Sequence, residues 1–349
     1  MRKKFRVGVT RDLRMQDHTS QERDVGLDLL DKHSHVEWEF MSKSSNEITS
    51  EQISKYDAII NGGNKVTAQS LENSKQLTLM ALFGAGFDYV DIQACTKNAI
   101  LVSTTPDGVR RPVASSFMAL ILALSHGMMH KDNLIRAGRW NERHIDIGVG
   151  LVGKVLGLVG MGSIGSEVFR LAKPFGMRHV TYDPYVSSEQ AEDVGAELVD
   201  LKTLMQISDF VCISCPLNEE TYHLINEERL LMMKESAYFI NVARGKIVDQ
   251  KALTSVLEKK LIQGAGIDVF EQEPIDPNDP ILSLDNVILS PHTLCMTDQC
   301  YRGIGESAVR SILEVADGKI PQHLIVNKEV LQNPDLTNKL NNYSTLKNN

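Results

Sequence analysis

The sequence predicts an α/β protein of two doubly wound parallel-sheet domains, and three observations lead there. A chain of 349 residues is longer than one domain usually is. Short apolar runs alternate with polar or amphipathic stretches, which is the rhythm of a parallel sheet covered by helices. A glycine-rich turn at 160–165 joins an apolar strand to a helix, the position where such a fold takes a ligand.

The first domain is read from short β-rich runs at 6–10, 58–61, 78–83 and 100–103, with polar segments such as 20–32 and 67–74 as helices between them. A long apolar helix at about 109–128 leads out of it. The second domain begins near Lys154, with strands at 155–159, 179–182, 210–214, 238–242, 264–268 and 287–290, and helices at 163–175, 226–233 and 250–260. After Thr293 a further helix spans 298–316, stopped by Asp317-Gly318 with Pro321 soon after. Residues 333–349 are rich in Asn and Lys and are expected to form a mobile tail.

Composition narrows the partners. With 42% apolar and 23% charged residues the chain is an ordinary globular one, neither collagenous nor disordered. Its 37 Lys and Arg against 45 Asp and Glu leave a net charge of −8, which disfavours nucleic acid or an anionic membrane as partner. The basic opening Met1-Arg-Lys-Lys runs into a strand with no apolar leader behind it, and the longest apolar run, 117–124, falls short of the roughly 20 residues that span a bilayer. A cytoplasmic protein is expected. Five cysteines argue against a disulfide scaffold. Cys212-Ile-Ser-Cys215 has C-x-x-C spacing but reads as a buried strand without a second ligand pair, so no metal is expected.

Gly160-Met-Gly162-Ser-Ile-Gly165 stands in the context that a dinucleotide site requires. Gly160 permits the tight turn, Gly162 lets a pyrophosphate approach the backbone, Gly165 lets helix pack on strand, and the helix N-terminus offers free N–H groups to phosphate. Asp183 closes the next strand, placed to accept hydrogen bonds from ribose hydroxyls and to repel a 2′-phosphate, and Tyr182-Asp-Pro-Tyr185 has no cation to receive one. NAD is therefore favoured over NADP.

Three later strands each lead to a charged or titratable residue: Arg244, Glu273 and His292. Strand ends of a doubly wound sheet gather on one rim, so these three can meet. Arg244 presents a planar fork for a carboxylate. His292 exchanges a proton near neutral pH, and Glu273 would orient its ring and favour the imidazolium. The chemistry expected is hydride transfer at C2 of a 2-oxo or 2-hydroxy acid, with His292 giving or taking the proton.

The chain resembles the D-isomer-specific 2-hydroxyacid dehydrogenases, the family of glycerate, phosphoglycerate, glyoxylate/hydroxypyruvate and D-lactate dehydrogenases. The matching segments are Gly84-Ala-Gly-Phe-Asp-Tyr-Val-Asp91, Leu156 to Gly165, Cys215-Pro-Leu217 with Thr221, Asn241 to Asp249, Gly264 to Pro274 and Ser290 to Thr293. The resemblance implies a Rossmann cofactor domain (107–294) inserted into a flavodoxin-like substrate domain (1–106 plus 295–332). It implies that Arg244, Glu273 and His292 are catalytic and that Asp268 meets the nicotinamide carboxamide. Further cofactor contacts are implied at Gly160, Met161, Gly162, Ser163, Ile164, Gly165, Asp183, Cys215, Pro216, Thr221, Val242, Ala243 and His292. Substrate contacts fall to the N–H groups of Ala85 and Gly86, with Arg244 and His292, and a homodimer through the cofactor domain is implied as well.

The chain departs from the family pattern at Ser115-Ser116, where a Glu is usual, at Leu294-Cys295, where small residues are usual, and at Phe83, where many members carry a polar or basic residue. Arg110-Arg111 could receive a phosphate or could simply be solvated. Two other readings stay open: an NAD-binding corepressor-like interaction protein, and a phosphite-type dehydrogenase. A formate-oxidising enzyme is disfavoured, because those relatives carry Gln where this chain has Glu273.

Overall fold

A computed structural model describes residues 4–14, 24–42, 46–145 and 147–347, and the strands it contains pair only in parallel. The chain divides into two compact units, Met1–Val109 with Met296–Asn349, and Arg110–Cys295.

The first unit holds β1 (Phe5–Val9), β2 (Val36–Phe40), α1 (Ser50–Ile53), β3 (Ala58–Asn61), β4 (Leu79–Leu82), α2 (Ile92–Lys97) and β5 (Leu101–Ser103). The sheet order β2-β1-β3-β4-β5 is that of flavodoxin-like folds. Its strands β3 and β4 are buried along their whole length, as expected of a parallel sheet covered on both faces. Strand β2 is absent from the sequence reading, although Glu37 and Glu39 alternate with apolar residues along it at the period of a half-buried strand. Of the segment 20–32, residues 20–23 lie outside the described residues, and Leu27–Lys32 forms a 3₁₀ helix rather than an α-helix. Gln69–Leu71 is likewise a short 3₁₀ turn.

The bridging helix α3 spans Pro106–Ser125, and α4 (Met128–Arg136) follows as a separate helix. Gly127 adopts φ 59° between them, the left-handed conformation that ends a helix. No single helix among the described residues is long and apolar enough to cross a membrane.

The second unit continues with β6 (Val155–Val159), α5 (Ser163–Ala172), β7 (Arg178–Tyr182), α6 (Ser188–Asp193), β8 (Ala196–Leu198), α7 (Leu201–Ile207), β9 (Phe210–Ile213), α8 (Glu227–Leu230), β10 (Tyr238–Asn241), α9 (Gln250–Glu258), β11 (Gly264–Ile267) and β12 (Val287–Leu289). The order β12-β11-β10-β9-β6-β7-β8 reverses direction between β6 and β9, the switch point of a Rossmann sheet. Alternate residues of each strand feed two cores. Leu156, Leu158, Phe210, Cys212 and Ile240 pack with Phe117, Leu120 and Ile121 of α3 and Phe169 of α5. Val155, Val159, Val211, Ile213 and Phe239 pack with Leu204 of α7 and Leu253, Val256 and Leu257 of α9.

The first unit is completed by α10 (Asp298–Ala316) and α11 (Pro334–Lys347). The second corrects the expectation of a mobile tail. Leu336, Leu340 and Tyr343 are buried on one side of α11 at helical spacing. The Tyr343 hydroxyl donates to Asp57 Oδ1 at 2.9 Å, its ring meets Phe5 edge-on, and Lys339 Nζ donates to the carbonyls of Leu77, Asn98 and Ala99. Composition suggested a tail, but three apolar positions suffice to anchor a helix.

Candidate active site

Gly160 closes β6 with φ 95°, and a Cβ there would lie 2.6 Å from the Cys215 nitrogen, so the loops after β6 and β9 touch at the switch point. Gly165 is pressed against Leu158 and the Gly160 carbonyl, which lets α5 sit down on β6. Gly162 differs: a Cβ added there would meet nothing within 4 Å. It caps α5 without a side-chain hydrogen bond, so the helix N-terminus, with Ser163 and Ile164 in its first turn, faces open space. That geometry fits a pyrophosphate. Asp183 braces the loop, with Oδ2 accepting the Met161 N–H at 2.8 Å and Oδ1 the Tyr185 N–H at 2.9 Å, and each oxygen keeps a lone pair for a ribose hydroxyl.

In the loop after β9, Thr221 Oγ1 donates to the Pro216 carbonyl at 2.6 Å and accepts the Asn218 N–H at 2.8 Å, which folds the segment into a tight turn. Burial pushes the Cys215 thiol up to about 12, so it is no nucleophile at neutral pH. Cys212 is fully buried inside β9 as core. Among the described residues no group of three His, Cys, Asp or Glu could hold a metal ion.

Arg244, Glu273 and His292 follow β10, β11 and β12, and the structure brings Glu273 and His292 into contact, with Nδ1 and Oε2 2.8 Å apart. Glu273 Oε1 accepts the Phe270 N–H at 3.0 Å, so both carboxylate oxygens are engaged. Burial pushes the Glu273 carboxyl up. The hydrogen bonds from His292 and from the Phe270 N–H, with the attraction of His292 and Arg244, outweigh this and hold it below its ordinary value. The hydrogen bond to Glu273 raises the His292 pKa against burial; the charges of Glu273 and Asp268 add to the rise and Arg244 opposes it. The imidazolium is thus stabilised with Nε2 left to face a reactant. His292 also adopts φ 55°, which is uncommon for a residue with a Cβ.

Three contacts were not foreseen from the sequence, one of them made by Asp268, which the resemblance assigns only to the nicotinamide. Asn241, almost fully buried, accepts the Ala243 N–H at 3.0 Å and donates to the Arg244 carbonyl at 3.0 Å, so one side chain staples the turn of Val242, Ala243 and Arg244. Asp268 accepts the N–H groups of Thr293 and Leu294 through its carboxylate, and its carbonyl accepts the His292 N–H at 2.7 Å, which fixes the histidine loop. Glu167 of α5 accepts from Arg111 at 2.6 Å and from Arg170 at 3.1 Å, so Arg111 is a solvated charge that also forms an ion pair. Asn241 lay within a quoted motif, but nothing in its spacing revealed the staple. Ser115 and Ser116 bond back to the Arg111 and Pro112 carbonyls one turn earlier.

Ala85 and Gly86 belong to the first unit, half-buried in the loop after β4. Gly84 ahead of them has φ 145°, and Thr105 holds it from both sides: its hydroxyl accepts the Gly84 N–H at 2.9 Å and its own N–H donates to the Gly84 carbonyl at 2.9 Å.

Residues 118–293 match the family model described as D-isomer specific 2-hydroxyacid dehydrogenase, NAD binding domain. A glyoxylate reductase of Korarchaeum cryptofilum is 36% identical over 334 residues, covering 94% of this chain and 98% of that protein. A glyoxylate reductase of Thermofilum pendens is 40% identical over 276 residues, covering 77% of this chain and 80% of that protein. Among solved structures, the D-lactate dehydrogenase of Aquifex aeolicus complexed with NAD and lactic acid superposes with a TM-score of 0.80 at 28% identity, covering 92% of this chain and 99% of that one.

Proposed function

The chain belongs to the D-isomer-specific 2-hydroxyacid dehydrogenases, and from that premise we propose that it is a glyoxylate-type reductase in which Arg244, Glu273 and His292 act on a small, unphosphorylated 2-oxo acid. It is an NAD-dependent oxidoreductase of 2-hydroxy and 2-oxo acids, as its family is. The 2.8 Å contact between His292 and Glu273 carries the reading of the site.

NADH, when bound, supplies the hydride that arrives at C2. Arg244 grips the substrate carboxylate with its guanidinium fork and polarises the neighbouring carbonyl. Ala85 and Gly86 are the further carboxylate donors in this reading, through their backbone N–H groups. His292 delivers its Nε2 proton to the 2-oxo oxygen, and Glu273 holds the imidazolium through Nδ1 until the proton leaves. In the oxidative direction the same nitrogen takes the hydroxyl proton. The Gly162 cradle and the α5 N-terminus bind the pyrophosphate, while Asp183 takes the ribose hydroxyls and repels a 2′-phosphate. Asp268 keeps the histidine loop in place and shares its carboxylate with the carboxamide.

A second copy of the chain is the proposed partner. Met128, Met129, Ile135, Trp140 and Ile145 of α4 and the segment after it are each more than half exposed, an unusual run of large apolar side chains for a free surface. None of the five cysteines is in a disulfide, and Cys95, Cys212 and Cys300 are fully buried, which suits the reducing cytoplasm.

The test is a screen of glyoxylate, hydroxypyruvate, pyruvate and longer 2-oxo acids with NADH and NADPH in parallel, followed by cofactor absorbance. Turnover fastest with glyoxylate and NADH is the expected result. Tight NADH binding without turnover of any acid would instead favour a binding protein.

A further inference from the structure

The rim that carries His292 and Glu273 holds a second histidine–carboxylate pair, to which the reaction assigns no step. His223 Nε2 lies 3.0 Å from Glu271 Oε1, close enough for an ion pair although the ring N–H is not aimed along the line of contact. His223 stands two residues after Thr221, in the loop that follows β9. Its backbone has φ 47°, its ring stacks on Tyr222 with centroids 4.2 Å apart, and its N–H donates to the Lys246 carbonyl at 2.9 Å. A left-handed residue with a Cβ persists only where its surroundings over-determine it.

Glu271 stands two residues before Glu273, on the same loop. It is locked to the start of α9 by a reciprocal pair of hydrogen bonds: the Gln250 N–H to Glu271 Oε1 at 2.8 Å, and the Glu271 N–H to Gln250 Oε1 at 3.0 Å. Gln250 Nε2 then reaches Asp279 Oδ2 at 2.7 Å. Gly245, next to Arg244, packs its backbone against Phe270 and Glu271 so closely that no Cβ fits. The loop carrying Glu273 is therefore wedged between the arginine turn, the α9 N-terminus and His223.

We infer that His223 and Glu271 are positioning residues for the reaction, coupling the loop after β9 to the loop that carries Glu273 and so holding Glu273 at its contact distance from His292. The inference rests on the reading of His292 and Glu273 as the acid–base pair. Its structural part does not depend on turnover, because the raised pKa of His292 reports how closely Glu273 is held.

The experiment uses the full chain with His223→Gln and, separately, Glu271→Gln. The glutamine at 271 keeps an oxygen for the Gln250 N–H and removes only the charge. Thermal melts establish folding, and the His292 ring is then titrated by NMR in the cofactor-free protein. The two effects are opposite in sign: removing any positive charge at 223 can only raise the His292 pKa, whereas a slackened Glu273 lowers it.

The expected result is a fall in the His292 pKa in both variants. The high-pH limb of kcat/KM for glyoxylate should move to lower pH, and kcat should drop about tenfold, the size expected of a small misplacement. The dissociation constant for NADH, read by fluorescence, should stay within about twofold, well under the tenfold that corresponds to 1.4 kcal/mol. An unchanged or raised His292 pKa in His223→Gln overturns the inference, and so does a fall confined to Glu271→Gln, because loss of a negative charge does that from a distance. If His223→Gln does not fold, His223→Asn, with the same uncharged amide, is read in its place. Failure of the acid–base reading itself would look different: His292→Asn would keep its activity while the NMR result stood.

Discussion

In the proposed mechanism the two parallel sheets use their strand ends in opposite ways. In the seven-stranded sheet, β10, β11 and β12 lead to Arg244, Glu273 and His292, to whose side chains the proposal assigns the chemistry. Each is steadied by a neighbour: Asn241 under the arginine turn, the Phe270 N–H on Glu273, and Asp268 beneath the histidine loop. In the five-stranded sheet, the loop after β4 offers backbone instead, with Gly84 pinned by Thr105 ahead of Ala85 and Gly86. A side chain is removed cleanly by one substitution. A backbone donor is lost only by bending the chain that presents it, so the two sheets should fail differently.

The largest effect is expected from His292→Asn, which removes the proton donor and keeps a similar shape. Turnover of glyoxylate should fall by about 10²–10⁴-fold while NADH binding is spared. Wild-type-like turnover would end the assignment of His292.

Glu273→Gln comes next. It keeps an acceptor for the Phe270 N–H and removes the charge that raises the His292 pKa, so kcat should fall by about 10²-fold. The sign for pH follows from the raised pKa: reduction needs the protonated ring, so activity is full below that pKa and is lost as pH rises through it. In the variant the loss should begin at lower pH, and an unmoved pH–rate profile would separate Glu273 from the proton transfer.

Gly84→Ala probes the backbone side of the comparison. Gly84 has φ 145° with nothing within 4 Å of a Cβ, so the substitution strains the loop without a clash, by about 1–3 kcal/mol. KM for the 2-oxo acid should rise with little change in NADH affinity. Equal losses in both would mean that the loop serves the whole protein rather than the substrate.

The smallest effect on turnover is expected far from either rim. Tyr343→Phe removes the hydrogen bond to the buried Asp57 carboxylate and should cost about 1.5–3 kcal/mol of stability by denaturant titration, with kcat unchanged.

Features written locally were legible beforehand. The glycine loop occupies six consecutive residues between a strand and a helix, and α10 was read at its observed limits because Asp317-Gly318 stops it. Features made by distant partners were not. The Tyr343–Asp57 bond joins residues 286 positions apart, and Leu336, Leu340 and Tyr343 were too few to outweigh an Asn- and Lys-rich composition. Strand β2, at the sheet edge, was legible in principle from the alternation of Val36-Glu-Trp-Glu-Phe40 and was overlooked.

Residue order alone set which chemistry is available: a glycine turn before a helix, an acid after the next strand, and an arginine, a glutamate and a histidine after three others. Those statements concern neighbours along the chain, where backbone sterics and side-chain type act without help from the rest of the fold. The three-dimensional packing decided how that chemistry is held. The 2.8 Å approach of Glu273 to His292, the left-handed backbone of His292, the carboxylate of Asp268 beneath it and the second pair at His223 and Glu271 all depend on loops from different strands converging. Such convergence is a property of strand order and register, and no local pattern encodes the distance between two loops that meet only after the sheet has formed.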